Sequence, residues 1–220
     1  MRGRYVSPDE ASIEREFTLV RAEWHFPPSY NVAPTQKVPA VRVNKAGERT
    51  GALLHWGLIP YWAKGVQPKF STINATVEKI TDAATWRGPW KRGQRCILPA
   101  LGFYEWQVLA DGKNKQPYYI TLNDQDTFGF AGLSDSSAGA DGIKIESCTI
   151  VTMPANKLHG GNPQCQTPHA RDHRKELSSR YQPILLRGIF WRFVCDSWPG
   201  AATPEPVLRG NPGRSLLWDS

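Results

Sequence analysis

Glu105 is an acid set into an apolar, aromatic run. It follows Cys96-Ile97-Leu98-Pro99-Ala100-Leu101-Gly102-Phe103-Tyr104 and precedes Trp106, a segment with the composition of a strand. Strand side chains alternate, so Phe103 and Glu105 share one face while Tyr104 and Trp106 share the other. Desolvation penalises the charged form of a carboxylate held among aromatics, which is the profile of a general acid/base. An acid that pairs with an Arg at a strand end fits the same spacing. Asn74, in Lys69-Phe70-Ser71-Thr72-Ile73-Asn74-Ala75-Thr76, lies in a polar stretch ahead of a helical segment. Its amide can donate and accept at once and so orient a substrate, as it can also shape a turn. A third feature is the mixing of Trp62, Trp86 and Trp90 with Lys64, Arg87, Lys91, Arg92 and Arg95. Cations beside aromatics suit a single nucleic-acid strand, although tryptophan also serves as core.

The chain starts Met1-Arg2-Gly3-Arg4-Tyr5, and Ser7-Pro8-Asp9-Glu10 follows at once in place of the apolar run of a secretory signal. By position alone these first residues read as a frayed terminus. No apolar run reaches the roughly 18 residues of a membrane span, so a soluble, cytoplasmic protein is expected, nucleoid-associated if bacterial. Cys96, Cys148, Cys165 and Cys195 are widely spaced and form no C-x-x-C pair. They read as reduced thiols, neither staples nor zinc ligands, and no cofactor is expected. A net charge of +7 and a pI near 9.3 favour a polyanionic partner.

These side chains need elements to position them. Ser7 as N-cap, Pro8 at the first helical position and the acids behind it predict a helix whose apolar face carries Ile13, Phe17 and Val20. Strand-like segments then recur at 38–43, 52–59, 95–100, 102–109, 117–122, 127–133 and 147–153, with a hairpin loop at 110–114. A helix over about 80–90 interrupts them. The pattern predicts an α+β domain on a mostly antiparallel, barrel-like sheet. It occupies 1–158 and is followed by a divergent tail, 159–220, in which 199–214 is rich in Pro, Gly and Arg. The tail reads as weakly structured apart from the apolar stretch 183–194.

Eight short motifs, in order, then resemble one family. They are GRY at 3–5, YNVAPTQ at 30–36, WGLIPYWAK at 56–64, INATVE at 73–78, RCILPALGFYEW at 95–106, KQPYYI at 115–120, FAGL at 130–133 and IVTMPAN at 150–156. Together they are similar to the SRAP domain, the SOS-response-associated peptidases or abasic-site processing proteins. The resemblance implies a single domain with a positively charged groove, acting as a monomer on single-stranded or abasic-site DNA. It implies DNA–protein crosslinking of a hydrolase or lyase type, through the amine and thiol of a cysteine exposed once Met1 is removed. Glu105 matches the family's acid/base and Asn74 its orienting asparagine. Arg4 matches its phosphate-binding arginine, and Asn31, Pro34, Tyr61, Trp62, Thr76 and Thr152 are further DNA-facing positions.

The departures from the family fall where the chemistry is. Arg2 stands at the nucleophile's place and offers no thiol. Thr76 replaces a DNA-contacting Arg, Leu101 an Asp and Ser134 a Trp. The family histidine falls on Pro163 by direct register, leaving His159, His169 and His173 as substitutes. A groove that binds single strands without catalysis is the alternative expectation. Peptidase action on other proteins finds no support in these residues.

Overall fold

The computed structural model describes residues 3–22, 24–109, 111–121, 127–154, 181–183 and 185–186. The first half of the described chain runs β1 (Tyr5–Ser7), α1 (Glu10–Phe17), β2 (Arg21–Ala22), β3 (Ser29–Val32), β4 (Lys37–Val43), β5 (Arg49–Trp56), a 3-10 turn (Tyr61–Ala63) and β6 (Asn74–Thr76). There follow α2 (Ala84–Lys91), β7 (Arg95–Ala100), β8 (Gly102–Val108), β9 (Lys115–Ile120), β10 (Phe128–Ala138), β11 (Lys144–Pro154), β12 (Tyr181–Pro183) and β13 (Leu185–Leu186).

Five of the strands close on themselves. β11, β10, β7, β4 and β5 are antiparallel neighbours in that order, and β5 returns to β11 by the parallel pairs His55↔Ser147 and Trp56↔Cys148. Closure removes the open edges that a sheet would otherwise present. Period-two alternation sends Val38, Ala40, Leu54, Trp56, Cys96, Leu98, Phe130, Cys148 and Ile150 into one core, all at most 1% exposed. Burying a large apolar side chain fully contributes about 1.5–3 kcal/mol, so this interior is the main source of stability. Cys96 and Cys148 are free thiols inside it. Burial pushes Cys96 up to about 12 and Cys148 upward as well, so both act as small hydrophobes. Cys165 and Cys195 lie outside the described residues.

A second sheet, ordered β3-β1-β8-β9, packs on the barrel through Tyr5 and Phe103. The Tyr5 ring meets Trp56 edge-on at 5.4 Å and Phe130 at 5.7 Å. The expected hairpin joins β8 to β9 with Val108 opposite Lys115. In it, Asp111 Oδ1 accepts from the Lys113 and Asn114 amides, which holds its carboxyl below the usual range. The described part of the 159–220 segment supplies β12 alongside β11 and β13 alongside β10.

Both helices are shorter than the sequence predicts. Ser7 belongs to β1, opposite Ser29, and Asp9 is the true N-cap: its Oδ1 accepts from the Ser12 amide at 2.9 Å. Strand pairing claims Ser7 before it can cap. The helix ends at Thr18, in the left-handed region, so Val20 lies beyond it and is 68% exposed. Ile13 and Phe17 pack on Val41 and Ile97, on the barrel's outer side. α2 begins at Ala84, and Ile80 belongs to the turns before it. Ile80 is buried with Ala131, Leu133 and Val151, and Trp86 and Trp90 pack against this cluster. Those two tryptophans are partly buried against the cluster, and the Arg95 guanidinium lies 4.4 Å from the Trp90 ring centre. The short polar strand β6 carries too little β-forming composition to be seen in sequence.

Candidate functional site

β1 is threaded between β3 and β8, and this places the start of the chain. Tyr5 pairs with Phe103 and Val6 with Gly102, while the Tyr104 amide donates to the Arg4 carbonyl at 2.9 Å. Gly3 is buried with φ at +79°, a conformation open chiefly to glycine. A Cβ there would fall 3.0 Å from Pro34 Cγ and 3.3 Å from Ile73 Cδ1. The chain start is thus packed into the domain at residue 3, and the frayed-terminus reading does not hold from that residue on. Arg2 itself lies outside the described residues, as do His159, His169 and His173.

The Ile73 contact leads directly to Asn74. The Ile73 carbonyl accepts from Trp56 Nε1 and from the Ile150 amide, each at 3.0 Å. Asn74 opens β6, which runs parallel to β11 with Asn74 beside Ile150 and Thr76 beside Thr152. A buried barrel tryptophan therefore fixes the backbone that carries Asn74. Thr152 is buried and donates its hydroxyl to the Ala75 carbonyl at 3.5 Å, and its own carbonyl accepts from the Val77 amide. It seats β6 from below. Thr76 Oγ1 is buried and has no hydrogen-bond partner among the described residues.

Alternation along β8 is as the sequence predicts. Phe103 and Glu105 are buried, Glu105 in register with Tyr118 of β9. Tyr104 and Trp106 face the other way and wall an open cavity of about 480 Å³ with Arg4, Asn31 and Pro117. Arg4 Nη1 donates to Asn31 Oδ1 at 3.3 Å, and Tyr104 Oη donates to the Tyr30 carbonyl at 3.3 Å. The Tyr119 ring packs beside Tyr104, with centroids 5.1 Å apart. A guanidinium amid aromatic walls can take a phosphate oxygen and the face of a base together. Sequence reasoning did not name Tyr104, Trp106 or Pro117 as groove walls. The alternation that buries Glu105 was the signal for the first two.

The structure thus brings Arg4 and Asn31 into one groove, and sets Gly3 against Pro34 and against Ile73, the residue before Asn74. Tyr61 and Trp62 belong elsewhere, on the 3-10 turn docked on β10, where they are 58% and 46% exposed. Trp62 Nε1 donates to the Ala84 carbonyl at 3.3 Å, tying this turn to the start of α2. No three of His, Cys, Asp or Glu gather as a metal-ligand set among the described residues. No helix among them is long and apolar enough to cross a membrane.

A mostly β single domain, with Arg4 and Asn31 in an aromatic-walled groove, defines a class that comparison with known proteins identifies. The family described as SOS response associated peptidase (SRAP) matches residues 1–172, and the chain belongs to it. It is similar to the abasic site processing protein YoaM of Bacillus subtilis, 40% identical over 155 residues, which cover 69% of this chain and 66% of that one. It is also similar to the abasic site processing protein HMCES of Pongo abelii, 35% identical over 112 residues, covering 44% of this chain and 32% of that one. The matches to the Bacillus relatives span 60–66% of those proteins' own length. A crystal structure of a protein from Bordetella bronchiseptica superposes with a TM-score of 0.67 at 25% identity, covering 88% of each chain.

Proposed function

We propose that this chain recognises abasic sites in single-stranded DNA through the groove beside its N-terminus, with its covalent chemistry impaired by Arg2. The observation that supports the reading is the burial of Gly3 against Pro34 and against Ile73, the residue before Asn74. In the reaction expected of such a site, a neutral α-amine adds to the aldehyde of the ring-opened deoxyribose. Loss of water then gives an imine, with Glu105 exchanging the protons and Asn74 orienting the sugar. A cysteine thiol at residue 2 would add across that imine and make the linkage lasting. Arg2 has no such group, so only a reversible imine can form. Arg4 and the groove aromatics account for binding without that step, and the net charge of +7 favours a polyanion. Soluble, monomeric action on single strands completes the reading.

The test is an abasic single-stranded oligonucleotide resolved on a denaturing gel. The chain as it stands forms no heat-stable adduct, while borohydride traps an imine. Arg2→Cys gains a heat-stable adduct, at a rate limited by the displaced family histidine, since proton-transfer assistance typically contributes about 10²–10⁴-fold. A heat-stable adduct with Arg2 in place overturns this account of residue 2. Equal affinity for duplex and single strand at one salt concentration overturns the groove assignment.

A further inference from the structure

The 3-10 turn that displays Tyr61 and Trp62 spans three residues, too short to hold itself. Its support comes from side chains underneath. Beyond Leu133, β10 has left β7 and pairs with β11, and there alternate residues face the turn. Asp135 Oδ2 accepts from the Tyr61 amide at 3.0 Å, and Ser137 Oγ accepts from the Gly65 amide at 2.8 Å. The Ser137 hydroxyl in turn donates to the Tyr61 carbonyl at 3.4 Å. From β11, Ser147, in register with Asp135, accepts from the Ile59 amide at 2.8 Å. Two positions past Ser137, Gly139 lets the chain close in: a Cβ on Gly65 would come 2.8 Å from Gly139 Cα.

Asp135 does more than hold backbone. Its side chain is 2% exposed, and Oδ1 accepts from Arg92 Nη2 at 3.0 Å and from the Ser136 amide at 2.9 Å. The Arg92 guanidinium lies 5.0 Å from the Tyr61 ring centre and is 42% exposed. One buried carboxylate thus fixes both the backbone of an aromatic turn and the cation stacked on its ring. Burying a carboxylate is costly unless it is fully bonded, and two of its three bonds here go to the Tyr61 amide and to the cation on the Tyr61 ring. The turn leaves both Tyr61 and Trp62 partly exposed.

We propose that Asp135, assisted by Ser137, is a positioning residue that pre-organises Tyr61, Trp62 and Arg92 as a stacking platform for the bases of a single strand. The inference rests on the single-strand reading of the preceding section. Rigid rings already in place bind with less loss of side-chain freedom, so the effect falls on base-dependent affinity and not on phosphate attraction.

Fluorescence anisotropy with two labelled oligomers of equal length tests this in the full chain at one salt concentration. One oligomer is thymidine throughout, and the other carries baseless tetrahydrofuran residues. The wild-type chain prefers the base-carrying oligomer, and Asp135→Ala weakens that binding about tenfold while leaving the baseless one nearly unchanged. Adding Trp62→Ala to Asp135→Ala brings little further loss. Ser137→Ala and Asp135→Asn give smaller losses in the same direction, and they decide the matter if Asp135→Ala does not fold. Wild-type preference for bases that persists in the folded variants overturns the proposal, as do losses from Asp135→Ala and Trp62→Ala that multiply. A wild-type chain that binds neither oligomer overturns the single-strand reading itself, and the platform with it.

Discussion

Glu105 and Gly3 are both buried, and they differ in how sequence reveals them. Alternation in an aromatic strand was enough to bury Glu105 beside Phe103 and turn Tyr104 and Trp106 outward. Gly3 offered no such signal, because a left-handed φ and a close approach to Pro34 exist only once β1 is paired. The tryptophans were ambiguous for a similar reason: spacing mixes Trp62, Trp86 and Trp90 with cations alike, and only packing separates the exposed first from the partly buried pair. A prediction follows for the acid. In an Arg2→Cys background, Glu105→Gln slows single-turnover crosslinking by about 10²-fold or more, with little change in DNA affinity, and flattens the dependence of rate on pH. Glutamine keeps the shape of the side chain but exchanges no proton near neutrality. A lowered melting temperature with an unchanged rate per folded molecule would remove Glu105 from the reaction.

Among the elements, each of the seven strand-like segments overlaps a strand, as its β-branched and aromatic composition predicts, although β9 buries neither face. The strands missed were short or polar: β1, β2, β3 and β6 owe their form to neighbours, and β6 lies beside β11 with Trp56 holding the residue before it. The site depends on β1 and β6, so the motifs named Asn74 and Arg4 while the scaffold beneath them stayed hidden. The start of α1 shows the same contest between local preference and pairing. Asp9 bonds the Ser12 amide and hydroxyl, and those bonds hold its carboxyl below the usual range. Asp9→Ala is expected to lower stability by about 1 kcal/mol in a urea titration at neutral pH, whereas Ser7→Ala leaves the helix start unchanged. The reverse ranking would return the cap to Ser7.

For the whole molecule, one ion pair in the barrel contributes stability that acid removes. Arg42 of β4 grips Glu146 of β11 with two bonds, Nη1 to Oε1 at 3.0 Å and Nη2 to Oε2 at 3.2 Å. Those bonds, with the nearby Lys144, hold the Glu146 carboxyl below its usual range. A lowered folded-state value means the contribution is complete above an ordinary glutamate's titration, near pH 4.5, and is lost as pH falls through the lowered value. Glu146→Gln should therefore lower the melting temperature at pH 7, by an amount equal to about 1 kcal/mol because both partners remain partly solvated. Wild type and variant should converge as pH drops towards 3. Curves that stay parallel down to that pH would show that the pair is not the source. The seam of the ring bears on how the chain is made. Residue 55 waits for residue 147, since only His55↔Ser147 and Trp56↔Cys148 join β5 to β11. On the ribosome, β2, β4 and β5 emerge early; β2 lines β5 at Thr50 and Gly51, while the border of β5 at His55 and Trp56 stays unpaired until β11 is synthesised. For most of its translation the nascent polypeptide is an open, self-adhesive sheet, and a stall anywhere before residue 148 leaves that border free to pair with another chain.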